Sequence, residues 1–269
     1  GVPLESLTLR ERAQKVAVVL TRFIGVHGMS GFDSVALGRS PHTGMLDALG
    51  EADRSSVLQS LRDTDTIHLK DRGVDALSDG ERQRLAIARA LAQEARMILL
   101  DEPTAFLDLP HRVGLMGLLR NLCHKQGVGA FLSTHDLDLA LRFADRVLVM
   151  DGRGGVAYGI PETLALEGVF DRVFSTPQAT FDLVSGSFRL EEEGCVAVCC
   201  SGSGILGAWT RRALRRKGWL LADDVLPRID ILEETGATVW RVTLNDRDVR
   251  EVYNLEALLE LLQNAKVSQ

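Results

Sequence analysis

No stretch of this 269-residue chain approaches the roughly 20 consecutive apolar residues that a helix needs to cross a bilayer. Any membrane role is therefore expected to come through a partner. Cysteine is scarce, and Cys123, Cys195, Cys199 and Cys200 lack the spacing that frames a zinc site or a disulfide scaffold. They read as plain buried thiols in a reducing cytosol. An excess of positive charge is also missing: 31 Lys and Arg against 37 Asp and Glu leave a net charge of -6. That balance excludes a general nucleic-acid binder, which needs clustered cations to neutralise phosphates. No internal repeat or low-complexity tract is evident either. What is present is 45% hydrophobic and 25% charged content, enough for one large domain or two unequal ones with a substantial core.

The first residue is Gly1, and the opening runs at once into a helical pattern with no preceding strand, as expected at a fragment boundary. Thr8 with Glu11, Ser30 with Asp33 and Ser78 with Glu81 have capping-box spacing, so each predicts a helix start. The apolar run Val16 to Leu20 suits a buried strand, and residues 30 to 75 read as mainly helical. From Glu81 the pattern alternates. A helix to Ala92 leads to a strand at Met97–Leu100, then a helix over about 110 to 125 and a strand at Gly129–Leu132. A helix over 137 to 144 and a strand over 147 to 150 complete the series. Strands alternating with helices imply a parallel α/β sheet. Beyond Pro161 the pattern loosens. From Gly194 a new unit begins, with strands at 195–200 and near 219–222, 228–233 and 238–244, and helices over about 205–217 and 255–263.

Four motifs carry chemistry, and their order matters more than any one of them. They are Leu77-Ser78-Asp79-Gly80-Glu81-Arg82-Gln83-Arg84, then Asp101-Glu102-Pro103-Thr104, then Leu107-Asp108, then Ser133-Thr134-His135-Asp136. A strand ending in two carboxylates is on its own no more than a strand and a solvated turn. Chance agreement at all four positions is very improbable. Ser78 and Gly80 open a helix, whose free N–H groups and dipole make a phosphate cradle.

This ordered set resembles the ABC transporter ATPases over roughly residues 6 to 160. The resemblance implies an α/β fold, a P-loop NTPase-like parallel sheet with a helical subdomain over about 30–80, within an ATPase domain over 1–160. A linker over 161–193 and a small α+β C-terminal domain over 194–269, of unassigned role, are expected to follow. It further implies ATP and Mg²⁺ as ligands. Asp101 would hold Mg²⁺ through water, and Glu102 would orient or deprotonate the attacking water. His135 would steady the transferring phosphoryl group. Ser78, Gly80 and Glu81 would meet ATP held by a second copy in a head-to-tail pair, with Asp108 coupling the two. Thr21 stands where the family carries a glutamine that senses Mg²⁺, as a weaker contact. Asp79 and Glu81 depart from the commoner glycine and glutamine, adding negative charge near a bound phosphate.

The phosphate-binding loop GxxxxGK[ST] has no match in these 269 residues. Gly202-Ser203-Gly204 is glycine-rich but lacks the Lys-Ser or Lys-Thr that must follow. The family places this loop before the first strand seen here, so it is expected in sequence preceding Gly1. The 269 residues alone are expected to be inactive. Val35-Ala36-Leu37-Gly38-Arg39-Ser40-Pro41-His42-Thr43-Gly44 resembles the permease-docking segment of the importers of iron–siderophore complexes, haem and cobalamin. That subclass implies a cytoplasmic subunit, peripheral on the inner face of the membrane. The other readings are a cytosolic ABC ATPase not tied to transport, or a non-hydrolysing subunit that donates its signature to another. The basic set Arg211, Arg212, Arg215, Arg216 and Lys217 reads as a solvated helix face or as charge complementing a helix C-terminus, with a regulatory or membrane-surface contact as the alternative.

Overall fold

The computed structural model describes residues 3–21, 28–43, 48–190, 196–234, 237–245 and 247–267. Two compact units divide them, one comprising residues 1–174 and 181–187 and the other 175–180 and 188–269.

In the first unit, α1 (Leu9–Ala13) precedes β1 (Val16–Val19), and α2 (Gly31–Ala36), α3 (Glu51–Asp63) and α4 (Asp79–Ala92) follow. Then come β2 (Met97–Asp101), α5 (Leu109–Gln126), β3 (Gly129–Ser133) and α6 (Leu137–Phe143). The sheet has the order β1-β2-β3 and is parallel throughout. Its register pairs Val19 with Leu100 and Asp101 with Ser133, so the carboxyl ends of the three strands lie together. Alternation along the strands turns Ala17, Val19, Ile98 and Leu100 to one face. There they pack with Ile87 and Leu91 of α4 and Leu115, Met116, Leu119 and Leu122 of α5.

The three capping boxes form as the spacing predicts, at the starts of α1, α2 and α4. Helices α2, α3 and α4 enclose a second core around Val35, Val57, Leu61, Leu69, Val74 and Leu85. Arg39 is buried and reaches Asp53 at 2.9 Å, Glu94 at 2.9 Å, the Ala92 carbonyl at 2.7 Å and, more distantly, Ser56 Oγ at 3.4 Å. Beside it, a Cβ on Gly38 would stand 2.2 Å from the Arg89 carbonyl, so only glycine lets this turn lie against α4. His42 adds a ring contact to the Gln93 carbonyl at 2.9 Å. Much of the segment that resembles a docking motif is therefore tied inward, while Leu37 and Ser40 are exposed. Gly44 lies outside the described residues.

Beyond α6, β4 (Val147–Met150) and β5 (Val156–Gly159) pair antiparallel. The stretch read as a linker, 161–193, contains α7 (Pro161–Leu166), α8 (Val169–Phe174), β6 (Ala179–Asp182) and β7 (Ser187–Leu190). It shares a core with α6, β4 and β5, in which Leu164, Val169, Phe170 and Phe181 bury with Val149. The Phe170 and Phe181 rings sit 5.5 Å apart in tilted contact.

In the second unit, β8 (Val196–Ser201), α9 (Gly204–Arg216) and β9 (Trp219–Leu221) form a parallel βαβ crossover. Next come β10 (Arg228–Glu234), β11 (Ala237–Asn245), β12 (Asp248–Val252) and α10 (Leu255–Val267). The sheet order is β12-β11-β10-β8-β9, antiparallel among β10, β11 and β12 and parallel elsewhere. Cys195, expected to start the first strand, lies outside the described residues. Strand β12 was not foreseen, because Asp248 and Arg250 charge one face, Glu251 charges the other, and only Val249 and Val252 suggest a strand. The core gathers Val198, Leu214, Trp219, Ile229, Trp240, Val242, Leu258 and Leu262. Trp240 Nε1 donates to Thr210 Oγ1 at 2.9 Å, so the one polar atom of a buried indole is satisfied. The glycines after β8 serve this packing. A Cβ on Gly207 would stand 2.3 Å from the Gly202 carbonyl.

Candidate functional site

The parallel register delivers Thr21, Asp101 and Ser133 to one place, just past or at the ends of β1, β2 and β3. Thr21 Oγ1 donates to Asp101 Oδ2 at 2.8 Å, and Ser133 Oγ donates to Asp101 Oδ1 at 2.8 Å. Both carboxylate oxygens are thus occupied by hydroxyls. The Ser133 hydroxyl first, and the Thr21 hydroxyl second, hold the Asp101 carboxyl below the usual carboxylate range. Asp101 accordingly stays an anion well into mild acid.

Glu102 follows with a φ of 42°, a left-handed conformation uncommon outside glycine. Its backbone N–H donates to Ser133 Oγ at 3.0 Å, which steadies that conformation. The Glu102 carboxylate meets His135 Nδ1 at 3.1 Å, and both side chains remain open to solvent. Ser133 is the residue whose importance sequence reasoning missed. It was read only as part of the motif ending in Asp136, yet its one hydroxyl serves Asp101 and Glu102 together. A Ser in the residue following a short apolar strand is too common to stand out, and only the register reveals the contact. Ser133→Ala should raise the Asp101 carboxyl toward its ordinary value, by more than Thr21→Val does. Carbon-13 NMR titration of the aspartate carboxyls measures this, and an unchanged titration would remove Ser133 from the site.

A second group forms at the N-terminal ends of α4 and α5. Ser78 caps α4: its Oγ accepts from the Glu81 backbone N–H at 3.3 Å. Glu81 returns its carboxylate to the Ser78 N–H at 2.8 Å and hydroxyl at 2.9 Å, and pairs with Arg72 at 3.0 Å. The Ser78 backbone, then the other contacts, hold the Glu81 carboxyl low. Asp79 pairs with Arg82 at 3.2 Å. The two carboxylates that depart from the family pattern are therefore neutralised locally, with Glu81 turned into the cap. Asp108 caps α5, accepting the His111 N–H at 3.2 Å and contacting the His111 ring, which together hold its carboxyl low. That ring also borders Gly80, at 3.4 Å from where a Cβ would stand. Gly80 and Asp108 thus come together through His111, which the sequence reading did not single out. Arg112 joins this group to the first, donating to the Leu107 carbonyl at 2.6 Å and pairing with Asp136 at 3.7 Å, next to His135.

Among the described residues no cluster of three or more His, Cys, Asp or Glu side chains could hold a metal. One carboxylate with two hydroxyls is nonetheless an all-oxygen set that fits Mg²⁺, a hard ion that keeps several waters and takes further oxygens from phosphates. No helix of the described residues is long and apolar enough to cross a membrane.

The ABC transporter family model matches residues 4–105, and the iron ABC transporter C-terminal domain matches residues 195–263. An uncharacterised ABC transporter ATP-binding protein of Methanocaldococcus jannaschii is 35% identical over 209 residues, covering 76% of this chain and 72% of that protein. The ferric enterobactin transport ATP-binding protein of Escherichia coli is 31% identical over 174 residues, covering 65% of this chain and 64% of the relative. Among solved structures, a metal-chelate type ABC transporter in an inward-facing conformation aligns with a TM-score of 0.57 and 29% identity, over 65% of this chain and 71% of that one. The chain therefore spans about two thirds to three quarters of the length of these relatives. Sequence kinship of this extent, together with the shared cassette fold, makes the chain a member of the ABC transporter ATP-binding proteins.

Proposed function

We propose that this chain belongs to the ATP-hydrolysing subunit of an importer that powers uptake of an iron–siderophore complex, haem or cobalamin through a membrane permease. The observation that carries the reading is the convergence of Thr21, Asp101, Ser133, Glu102 and His135 at the carboxyl ends of three parallel strands. Bound Mg²⁺ would supply neutralisation of the charge that gathers on the terminal phosphates. Asp101 and Thr21 are the groups that would hold it, with Ser133 fixing the Asp101 carboxylate. Glu102 lies one residue further on, where a carboxylate can orient or take a proton from water, and His135 steadies that carboxylate.

Ser78, Gly80, Glu81 and Asp108 lie apart at two helix N-termini, as expected of groups that serve ATP held mainly by a second copy. The permease contact is assigned to the segment from Val35 to Gly44, whose exposed members Leu37 and Ser40 stand on a base held by Arg39 and Gly38. The match to the iron ABC transporter C-terminal domain and the ferric enterobactin relative support an iron complex as cargo.

Deleting the gene in its native cell should abolish energised uptake of a ferric siderophore, haem or cobalamin, and the wild-type gene should restore it. Unchanged uptake of all three, measured with radiolabelled substrates, would sink the importer reading. ATP turnover by the protein made from its whole gene would then favour a cytosolic ATPase, and its absence a non-hydrolysing signature donor.

A further inference from the structure

Helix α9 shows its neighbours a buried face, on which Gly207, Thr210, Ala213 and Leu214 pack into the second unit. The opposite face is what carries the inference. Ile205, Trp209, Arg212 and Arg216 follow one another at spacings of four, three and four, which places them on a single stripe. All four are exposed, with Ile205 at 77% and Trp209 at 59%. Arg215 and Lys217 are exposed beside the basic end of the stripe. Residues 204–217 contain no acidic side chain.

The other ion pairs of this unit join Arg228 to Asp230, Arg241 to Glu251 and Arg250 to Asp248. Among the described residues none reaches Arg212, Arg215, Arg216 or Lys217. Arg211 is different, since it donates to the Gly202 carbonyl at 2.8 Å. The Arg212 guanidinium sits 5.3 Å from the Trp209 ring centroid, so even the arginine nearest the apolar end keeps its charge free of a carboxylate.

We infer that this face of α9 docks on the surface of an anionic lipid bilayer. Unpaired cations would lie among the headgroup phosphates, while Ile205 and Trp209 enter the interfacial layer, where an indole's apolar body and polar N–H are both accommodated. Charge complementarity chooses an anionic surface, and the exposed tryptophan and isoleucine choose lipid over nucleic acid. A phosphate backbone offers no apolar layer in which to bury Ile205. The inference is independent of ATP hydrolysis and of any permease.

The chain has three tryptophans, and Trp219 and Trp240 are buried, so a change in the environment of tryptophan emission reports Trp209. The full chain should sediment with phosphatidylglycerol–phosphatidylcholine vesicles and not with pure phosphatidylcholine vesicles. Its emission should shift to the blue and become protected from acrylamide, and raising the salt to 0.5 M (about 4 Å screening length) should reverse both. Each basic side chain near such a surface contributes about fivefold in partition coefficient. Arg212→Gln, Arg215→Gln and Arg216→Gln together should thus weaken binding by about a hundredfold. Trp209→Phe should abolish the spectral shift and leave sedimentation in place. Should the triple variant fail to fold, Arg216→Gln alone and the salt titration of the wild type decide the question. Equal binding to neutral vesicles, no binding to either, or full competition by a single-stranded RNA homopolymer would each overturn the inference.

Discussion

Glu102→Gln should lower ATP turnover by about a thousandfold, within the range of a hundred to ten thousand that a positioned general base contributes. The protein for this test is the one made from its whole gene. Glutamine matches glutamate in shape, so it can adopt the same backbone conformation and still accept from His135 Nδ1. It cannot take a proton. Binding should therefore survive while hydrolysis fails, leaving ATP trapped between two copies. The observation behind this expectation is the 3.1 Å contact of the Glu102 carboxylate with His135, on a residue held by Ser133 beside Asp101. Steady-state phosphate release gives the rate, and size-exclusion chromatography with Mg²⁺ and ATP gives the trapped pair. Turnover within threefold of wild type would show that Glu102 is not the base.

Arg39→Ala has the largest expected effect on stability. Its guanidinium is almost fully buried and is shared by the Asp53 and Glu94 carboxylates and the Ala92 carbonyl. Removing it orphans a buried carbonyl and empties packed space, together about 2–3 kcal/mol. Lysine should not rescue it, because one ammonium on a flexible stem cannot serve acceptors set in three directions as a planar fork does. The loss should appear as faster hydrogen exchange in α2, α3 and α4. Tryptophan fluorescence will not register it, since all three tryptophans lie in the second unit. Unchanged exchange in these helices would refute the structural role given to Arg39.

The same network sets a pH dependence. Hydrogen bonds from Arg39, then the Gly50 N–H, lower the Asp53 carboxyl below its ordinary value. Burial alone would raise Glu94, but the hydrogen bonds from Arg39 and Ser56 outweigh it and the net direction is down. Groups with depressed folded-state values stabilise the fold above their unfolded values, and that contribution disappears as pH falls through the folded ones. The wild-type helical region should therefore lose stability below about pH 4, near and under the ordinary carboxylate range. Arg39→Ala should lose much less on acidification, because it has already lost the interaction.

The sequence by itself determined the elements that rest on local chemistry. Three capping boxes fixed three helix starts, and short apolar runs ending in Asp101 or Ser133 fixed strands of the parallel sheet. The ordered motifs led to the family and to most of the groups at the strand ends. Strand β12 and helices α7 and α8 escaped because each is only five or six residues long and finds its partners only across space. Tertiary structure alone decided how Ser133 serves two carboxylate residues and how His111 stands between Gly80 and Asp108. It also decided that the basic helix α9 shares its open face with Ile205 and Trp209. The physical reason is common to all of these. A cap or an apolar period is written within a few neighbouring residues, whereas register, burial and charge pairing join residues 30 to 80 positions apart, and only the folded chain brings them within reach.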